Sequence, residues 1–468
     1  MKAKKLNRRQ FMQTTVVGVG LGALLPIVSF CGAPQKIRKP NLIFIFADQW
    51  RACDTGFAGN TEVKTPHLDA LARQSTHFSH AVSGCPVCSP YRASLLTGQY
   101  WLSHGIFYND KPLDPEILSI AKVYSRSGYD TAYIGKWHLN GHPKGMSYQT
   151  SRTEPISSDR RLGFDFWRAY ECTHEYNNSF YYDEENIKHR WEGYDAIAQT
   201  QMAQQYLRDH AKGKPFTLFL SWGPPHDPYL TAPDTYRQMF EEHQIVLRPN
   251  VPAEMETKVR TNLSGYYAHI AALDDCIFTI VETLRQTGLE RDTILVFTSD
   301  HGDMMGSHGH MHKQKPWDES IRIPFLLRYP AVLGTVAQSL DVPINTPDIM
   351  ATLLGLSGIP IPDSVQGKDF SPVIRGEEIA PDEIALLMCP VPFHQWNYKR
   401  GGREYRGIRT TRYTFVRDLQ GPWLLYDNEI DPYQLDNLAI WIYSNISMAC
   451  CRRNWRKPTM SFFPARNI

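Results

Sequence analysis

Four runs of β-branched and aromatic residues, each ending abruptly in a polar cluster, punctuate the chain as far as His301. They are NLIFIFADQ from Asn41, TAYIGKWH from Thr131, FTLFLSWGPPH from Phe216 and TILVFTSDHG from Thr293. Short apolar runs bounded in this way predict buried strands. Between them, apolar residues recur at helical spacing over His67 to Gln74, Asp195 to His210 and Gly265 to Thr287, which predicts helices covering a sheet. Strands alternating with helices predict an α/β fold with a mixed, mostly parallel sheet sandwiched between helices. In such sheets functional groups gather beyond the carboxyl ends of the strands, so the four polar endings are expected to converge.

After Ser371 the pattern changes. EIALLMC, REYRGIRTTRYTFVRD and PWLLYDN are short strand-like segments with polar turns. They predict a small C-terminal antiparallel subdomain over residues 376–440, behind a main domain over 40–375. The stretch 441–468 shows neither period, carries Cys450 and Cys451 among Trp and Arg residues, and receives no functional reading.

The N-terminus has its own logic. KAKKLNRRQFM precedes an apolar run from Thr14 to Phe30, the layout of a secretory signal over residues 1–31. Arg8 and Arg9 followed by Gln10 and Phe11 resemble a twin-arginine signal, while Cys31 offers a lipidation point. The expectation is export, with the protein periplasmic or anchored to the outer membrane as a lipoprotein. No other segment reaches the roughly 18 apolar residues of a membrane span.

Composition narrows the chemistry. The 468 residues are 42% hydrophobic and 21% charged, as in a globular protein with a large core. Lys+Arg 50 against Asp+Glu 48 leaves no basic field, so no nucleic-acid partner is expected and any anion recognition must be local. Nine cysteines do not make a disulfide scaffold. Cys85 and Cys88 form a CxxC, but the SPYR that follows and the lack of a second pair argue against redox and zinc roles.

In CSPYRASLLTG, Cys88 precedes Pro90 and a helical pattern through Arg92, Leu95 and Leu96. Proline suits a helix's first turn, so Cys88 is expected at a helix N-terminus, where free N–H groups and the dipole favour anions. A buried cysteine before an ordinary helix fits the spacing equally well. Asp48 with Gln49 and Asp300 with His301 end two strands and supply oxygen-rich ligands suited to a hard cation, although strand-end Asp commonly caps a helix instead. GKWH (Lys136, His138), PPHDPY (His226) and HKQKPWDES (Lys313, Lys315) add cations and proton donors of the kind ester hydrolysis needs. HGDMMGSHGHMH has four histidines, but no i, i+4 pair beside a glutamate, so only His301 is taken as a ligand.

Cys88, Pro90 and Arg92 followed by Leu96, Thr97 and Gly98 closely resemble the signature of the type I, formylglycine-dependent sulfatases, and the resemblance runs over roughly residues 40 to 440. It implies an alkaline phosphatase-like fold and hydrolysis of a sulfate ester by a formylglycine hydrate derived from Cys88 through a maturase. It further implies a divalent metal on Asp48, Gln49, Asp300, His301 and position 88. Calcium is the expected ion, with manganese and zinc left open because Gln49 and His301 replace the frequent Asp and Asn. By the same resemblance Arg92 and Lys136 steady the hydrate, His226 and Lys313 contact the sulfate and leaving oxygen, and His138 is the base. Lys313 is preferred to Lys315 because the family lysine lies four residues before the aromatic, here Trp317. Tyr91 departs from the usual Ser and bears on which maturase acts. The expected partner is a sulfated carbohydrate. A phosphonate or phosphate monoester hydrolase of the same superfamily and a catalytically silent glycan binder are the rivals.

Overall fold

All eight residues of β1 (Asn41–Asp48) are buried, and their side chains divide between two layers. Leu42, Phe44 and Phe46 join one apolar cluster, while Ile43, Ile45 and Ala47 join the other. A strand covered on both faces reads as a continuous apolar run, which is why β1 shows no polar alternation. The computed structural model describes residues 39–142, 147–381 and 383–439. The expected signal over 1–31, the lipidation at Cys31 and the tail 441–468 lie outside the described residues.

Nine further strands share the sheet with β1: β2 (Thr76–Val82), β3 (Asp130–Lys136), β4 (Phe166–Tyr170), β5 (Phe180–Tyr182), β6 (Lys188–Arg190), β7 (Phe216–Pro225), β8 (Thr293–Ser299), β9 (Phe325–Arg328) and β10 (Gln338–Asn345). Their order is β10-β2-β9-β8-β1-β7-β3-β4-β5-β6. The block β8-β1-β7-β3-β4 is parallel, and β9 lies antiparallel between β8 and β2. Register aligns the strand ends: Ala47 faces Ser299, Asp48 faces Pro225 and Gly135 faces Ser221. The polar residues that follow β1, β3, β7 and β8 therefore lie along one edge, as the strand endings predict.

Helices Pro66–Ala72 and Asp195–Asp209 lie where the periodicity puts them. The third corrects the sequence reading: it runs Glu256–Thr287 and begins nine residues before Gly265. Val259, Leu263, Tyr266, Ile270 and Leu273 are buried in unbroken helical period across that glycine. Gly265 is not a start signal but a close-approach site, because a Cβ there would lie 2.3 Å from the Tyr229 carbonyl oxygen. The contact brings the Tyr229 segment against this helix.

A second, four-stranded antiparallel sheet comprises β11 (Ala385–Cys389), β12 (Tyr405–Arg409), β13 (Tyr413–Asp418) and β14 (Gly421–Asp427). Its Leu387, Val416 and Leu424 pack with Met304, Trp317 and Ile321 of the main layer. Gln314, the neighbour of Lys313, holds the loop after β11 through paired bonds with the Phe393 backbone, each 3.2 Å. The small sheet thus borders the loop that carries Lys313.

Candidate active site

Cys88 is the first residue of the helix Cys88–Thr97, after an extended Val87 and with Pro90 in the first turn; Gly98, left-handed at φ 65°, closes the other end. The Asn109 side chain accepts the Ser89 N–H at 3.0 Å. Tyr91 is fully buried in one of the two apolar layers. The helix start points the Cys88 side chain at the strand-end edge. Its Sγ lies 3.6 Å from Asp48 Oδ1 and 3.3 Å from His301 Nε2, and it accepts from Lys313 Nζ at 3.1 Å.

Two carboxylates and three cations meet around this thiol. Lys136 Nζ donates to Asp48 Oδ2 at 2.5 Å, with neither side chain exposed. Arg92 lies 3.4 Å from both Asp48 Oδ2 and Asp300 Oδ2, and donates to the Lys136 carbonyl (2.6 Å) and Ser221 Oγ (2.7 Å). Lys313 Nζ bridges to His226 Nε2 at 2.7 Å. Burial opposes ionisation of Asp48, but Lys136 and Lys313 hold its carboxyl well below the usual range. Burial, with Asp48 alongside, pushes Asp300 up to about 6. Burial and the Lys313 charge bring His226 down to about 3, so its imidazole is neutral and its Nε2 accepts the lysine proton.

His138 lies close by, left-handed at φ 57° and 3.5 Å from Asp110. Burial opposes its protonation, but Cys172 and Asp110 outweigh that and raise its pKa well above the ordinary value. Lys315 lies elsewhere: its Nζ donates to the Met311 carbonyl at 2.7 Å and sits 5.1 Å from the Trp396 ring centroid. The remaining histidines of the glycine-rich segment also part company. His308 and His310 pack on Trp317, and His312 lies 3.3 Å from Asp227.

The chain matches the sulfatase family over residues 40–359. It belongs to that family. Residues 306–452 match the C-terminal region of N-sulphoglucosamine sulphohydrolase. The chain is 44% identical to the ulvan-active sulfatase of Formosa agariphila, over 86% of this chain and 77% of that one. It is 31% identical to the endo-4-O-sulfatase of Bacteroides thetaiotaomicron, over 88% and 91%. A solved structure from work on the metabolism of multiple glycosaminoglycans by Bacteroides thetaiotaomicron superposes with a TM-score of 0.79 at 29% identity, covering 88% of this chain and 94% of that one. The protein is a sulfuric ester hydrolase with an alkaline phosphatase-like fold, and the phosphoester alternative is not favoured.

Sulfatase membership implies a divalent metal and a formylglycine in place of the signature cysteine. The residues present fit both. Ligand atoms of Asp48, Cys88, Asp300 and His301 lie within 4.8 Å of one another, where the Cys88 Sγ stands in for a formylglycine oxygen. His301 Nδ1 is 2.9 Å from the Gly302 carbonyl, so the proton belongs on Nδ1 and Nε2 carries the free lone pair. Gln49 Oε1 is buried without a partner, as a ligand atom awaiting a cation would be. The Gln49 backbone is left-handed at φ 74°, held by an N–H to Asp300 Oδ1 (3.0 Å) and a carbonyl that accepts from Tyr266 (2.7 Å).

Three supporting residues had no sequence signal of their own. Asp110 borders His138. Asp227 lies 3.1 Å from His226 Nδ1. Asp303 accepts the Gln49 amide N–H at 2.7 Å. Asp303 lies inside the histidine-rich segment, and its partner is 254 positions away in the chain.

Proposed function

We propose that this sulfatase removes sulfate from a sulfated polysaccharide such as ulvan, using position 88 as formylglycine and Ca2+ as its ion. The observation that carries the reading is the position of Lys313 Nζ between Cys88 Sγ (3.1 Å) and His226 Nε2 (2.7 Å), at 4.0 Å from Asp48 Oδ1. That spot suits the leaving oxygen of an ester whose sulfur faces position 88. Ca2+ is favoured because Asp48, Gln49 and Asp300 offer oxygens and only His301 offers nitrogen. The ulvan-active relative supports the polysaccharide class.

The formylglycine hydrate supplies an oxygen nucleophile and the cation neutralises sulfate oxygens. Around them Lys136 and Arg92 hold Asp48 and Asp300 in place. Lys313 gives a proton to the departing sugar oxygen, with neutral His226 orienting its ammonium. His138, beside Asp110, is the proposed base: once it has given up its own proton, its neutral form takes the proton of the remaining hydroxyl at position 88 as sulfate is expelled. Sulfate release from ulvan oligosaccharides by the matured enzyme, followed by ion chromatography, tests the substrate class. Turnover is expected there, and faster hydrolysis of a matched phosphate ester would overturn the reading.

The leaving-group role has a sharper test. Lys313→Met is expected to lower kcat on a sugar sulfate by about 10²- to 10⁴-fold, the usual weight of general acid catalysis. An aryl sulfate, whose phenoxide leaves without help, should lose far less. Equal losses on both substrates would move Lys313 from proton donation to sulfate binding.

A further inference from the structure

Gln49 offers the cation site an amide, and an amide has two unlike ends: only Oε1 can bind a cation, and an NH₂ turned inward repels one. The end that faces the site is decided outside it. Gln49 Nε2 donates to Asp303 Oδ2 at 2.7 Å and lies 3.4 Å from the Tyr229 hydroxyl, which itself donates to Asp303 Oδ2 at 2.5 Å. The other oxygen, Asp303 Oδ1, accepts the N–H groups of Met305 (2.9 Å) and His312 (2.8 Å). Asp303 is fully buried and has four donors on two oxygens. An acceptor so filled holds the NH₂ end of Gln49 and no other.

We propose that Asp303 is a positioning residue that fixes the Gln49 amide so that its buried, unpartnered Oε1 faces the divalent cation. The proposal rests on Gln49 being a ligand in the reading above. It gives Asp303 a task that burial and shape alone do not require, and so separates its charge from its volume. In Asp303→Asn the carbonyl oxygen keeps the Met305 and His312 bonds. The introduced NH₂ then meets the Gln49 NH₂, donor against donor, and the Tyr229 hydroxyl loses the acceptor it donates to. The cheapest relief is a half-turn of the Gln49 amide, which puts its Oε1 on the new donor and its NH₂ on the cation.

The test is Ca2+ affinity of the full matured chain, measured by competition with a chromophoric chelator and independent of turnover. Asp303→Asn is expected to weaken Ca2+ binding by about 10- to 100-fold, the usual effect of losing a residue that orients a ligand. The reversed pair Q49E/D303N restores a donor on 303 and an acceptor on 49, leaves one carboxylate oxygen for the cation, and keeps the wild-type net charge. It is expected to recover most of the lost affinity. A merely structural Asp303 would give no recovery, and that result, or equal Ca2+ binding by Asp303→Asn and wild type, overturns the inference. If Asp303→Asn does not fold, recovery of a folded, Ca2+-binding protein by the added Gln49→Glu supports the assignment, and failure to recover sinks it. Absence of Ca2+ binding by the wild type would instead remove the cation reading, and this inference with it.

Discussion

Cys88→Ala is expected to lower kcat/KM on a sulfate ester by at least about 10⁴-fold, because alanine has no thiol for a maturase to oxidise and so no formylglycine nucleophile can form; losses of this order or larger accompany removal of an enzymic nucleophile. The fold should survive. Only one buried sulfur is deleted, and the helix start is set by Pro90 and the Asn109 bond to Ser89, which the change leaves alone. The ionic surroundings survive too: Lys136 stays on Asp48 and Arg92 between the two carboxylates. Substrate binding is therefore expected to persist while turnover stops, which equilibrium binding of a sulfated oligosaccharide to the variant would measure. Turnover within tenfold of wild type would take position 88 out of the mechanism. A catalytically silent binder would instead show no difference between the two proteins and an unmodified cysteine by peptide mass.

The parts of this site that the sequence marks, and the parts it does not, share one physical cause. The residues at the strand ends are legible because the strand before each one is buried on both faces and leaves a continuous apolar run that stops at the functional edge; NLIFIFADQ runs into Asp48 and Gln49, and TILVFTSDHG into Asp300, for the same reason. Cys88 was found through Pro90, whose place in a first helical turn is a local rule. Residues acting through another residue left no such trace. Asp303, Asp110 and Asp227 are single carboxylates whose partners come from distant segments or from the same turn, with no period to mark them. The turn before Gly265 escapes the apolar period because its helical register continues through a glycine, which the helix tolerates so that the Tyr229 carbonyl can approach. The short edge strands β5 and β6, three residues each, carry too few positions for alternation to show.

Lys136→Met should produce the largest loss of stability, and the size of that loss should depend on the cation. Lys136 and Asp48 are both fully buried and 2.5 Å apart. Removing one partner of such a pair leaves an uncompensated charge, at a cost of about 3–5 kcal/mol. Met keeps most of the stem, so the loss reflects charge and not volume. A divalent ion on Asp48 replaces part of the missing compensation, so the gap between wild type and variant should be widest in chelator and narrower in saturating Ca2+. Acid narrows it from another direction. In the wild type burial raises the Asp48 pKa, but Lys136 and Lys313 pull it well below the ordinary value. The carboxylate therefore contributes stability above the unfolded carboxyl pKa, and that contribution is lost as pH falls through the folded one. Without Lys136 the burial effect dominates and the Asp48 pKa rises. The variant then takes up a proton at higher pH than the wild type does, which relieves its buried charge. Urea unfolding of both proteins in chelator should show the gap large near neutrality and shrinking on acidification. A gap independent of pH and of Ca2+ would mean that Lys136 stabilises the strand end through its stem and that its charge does not balance Asp48.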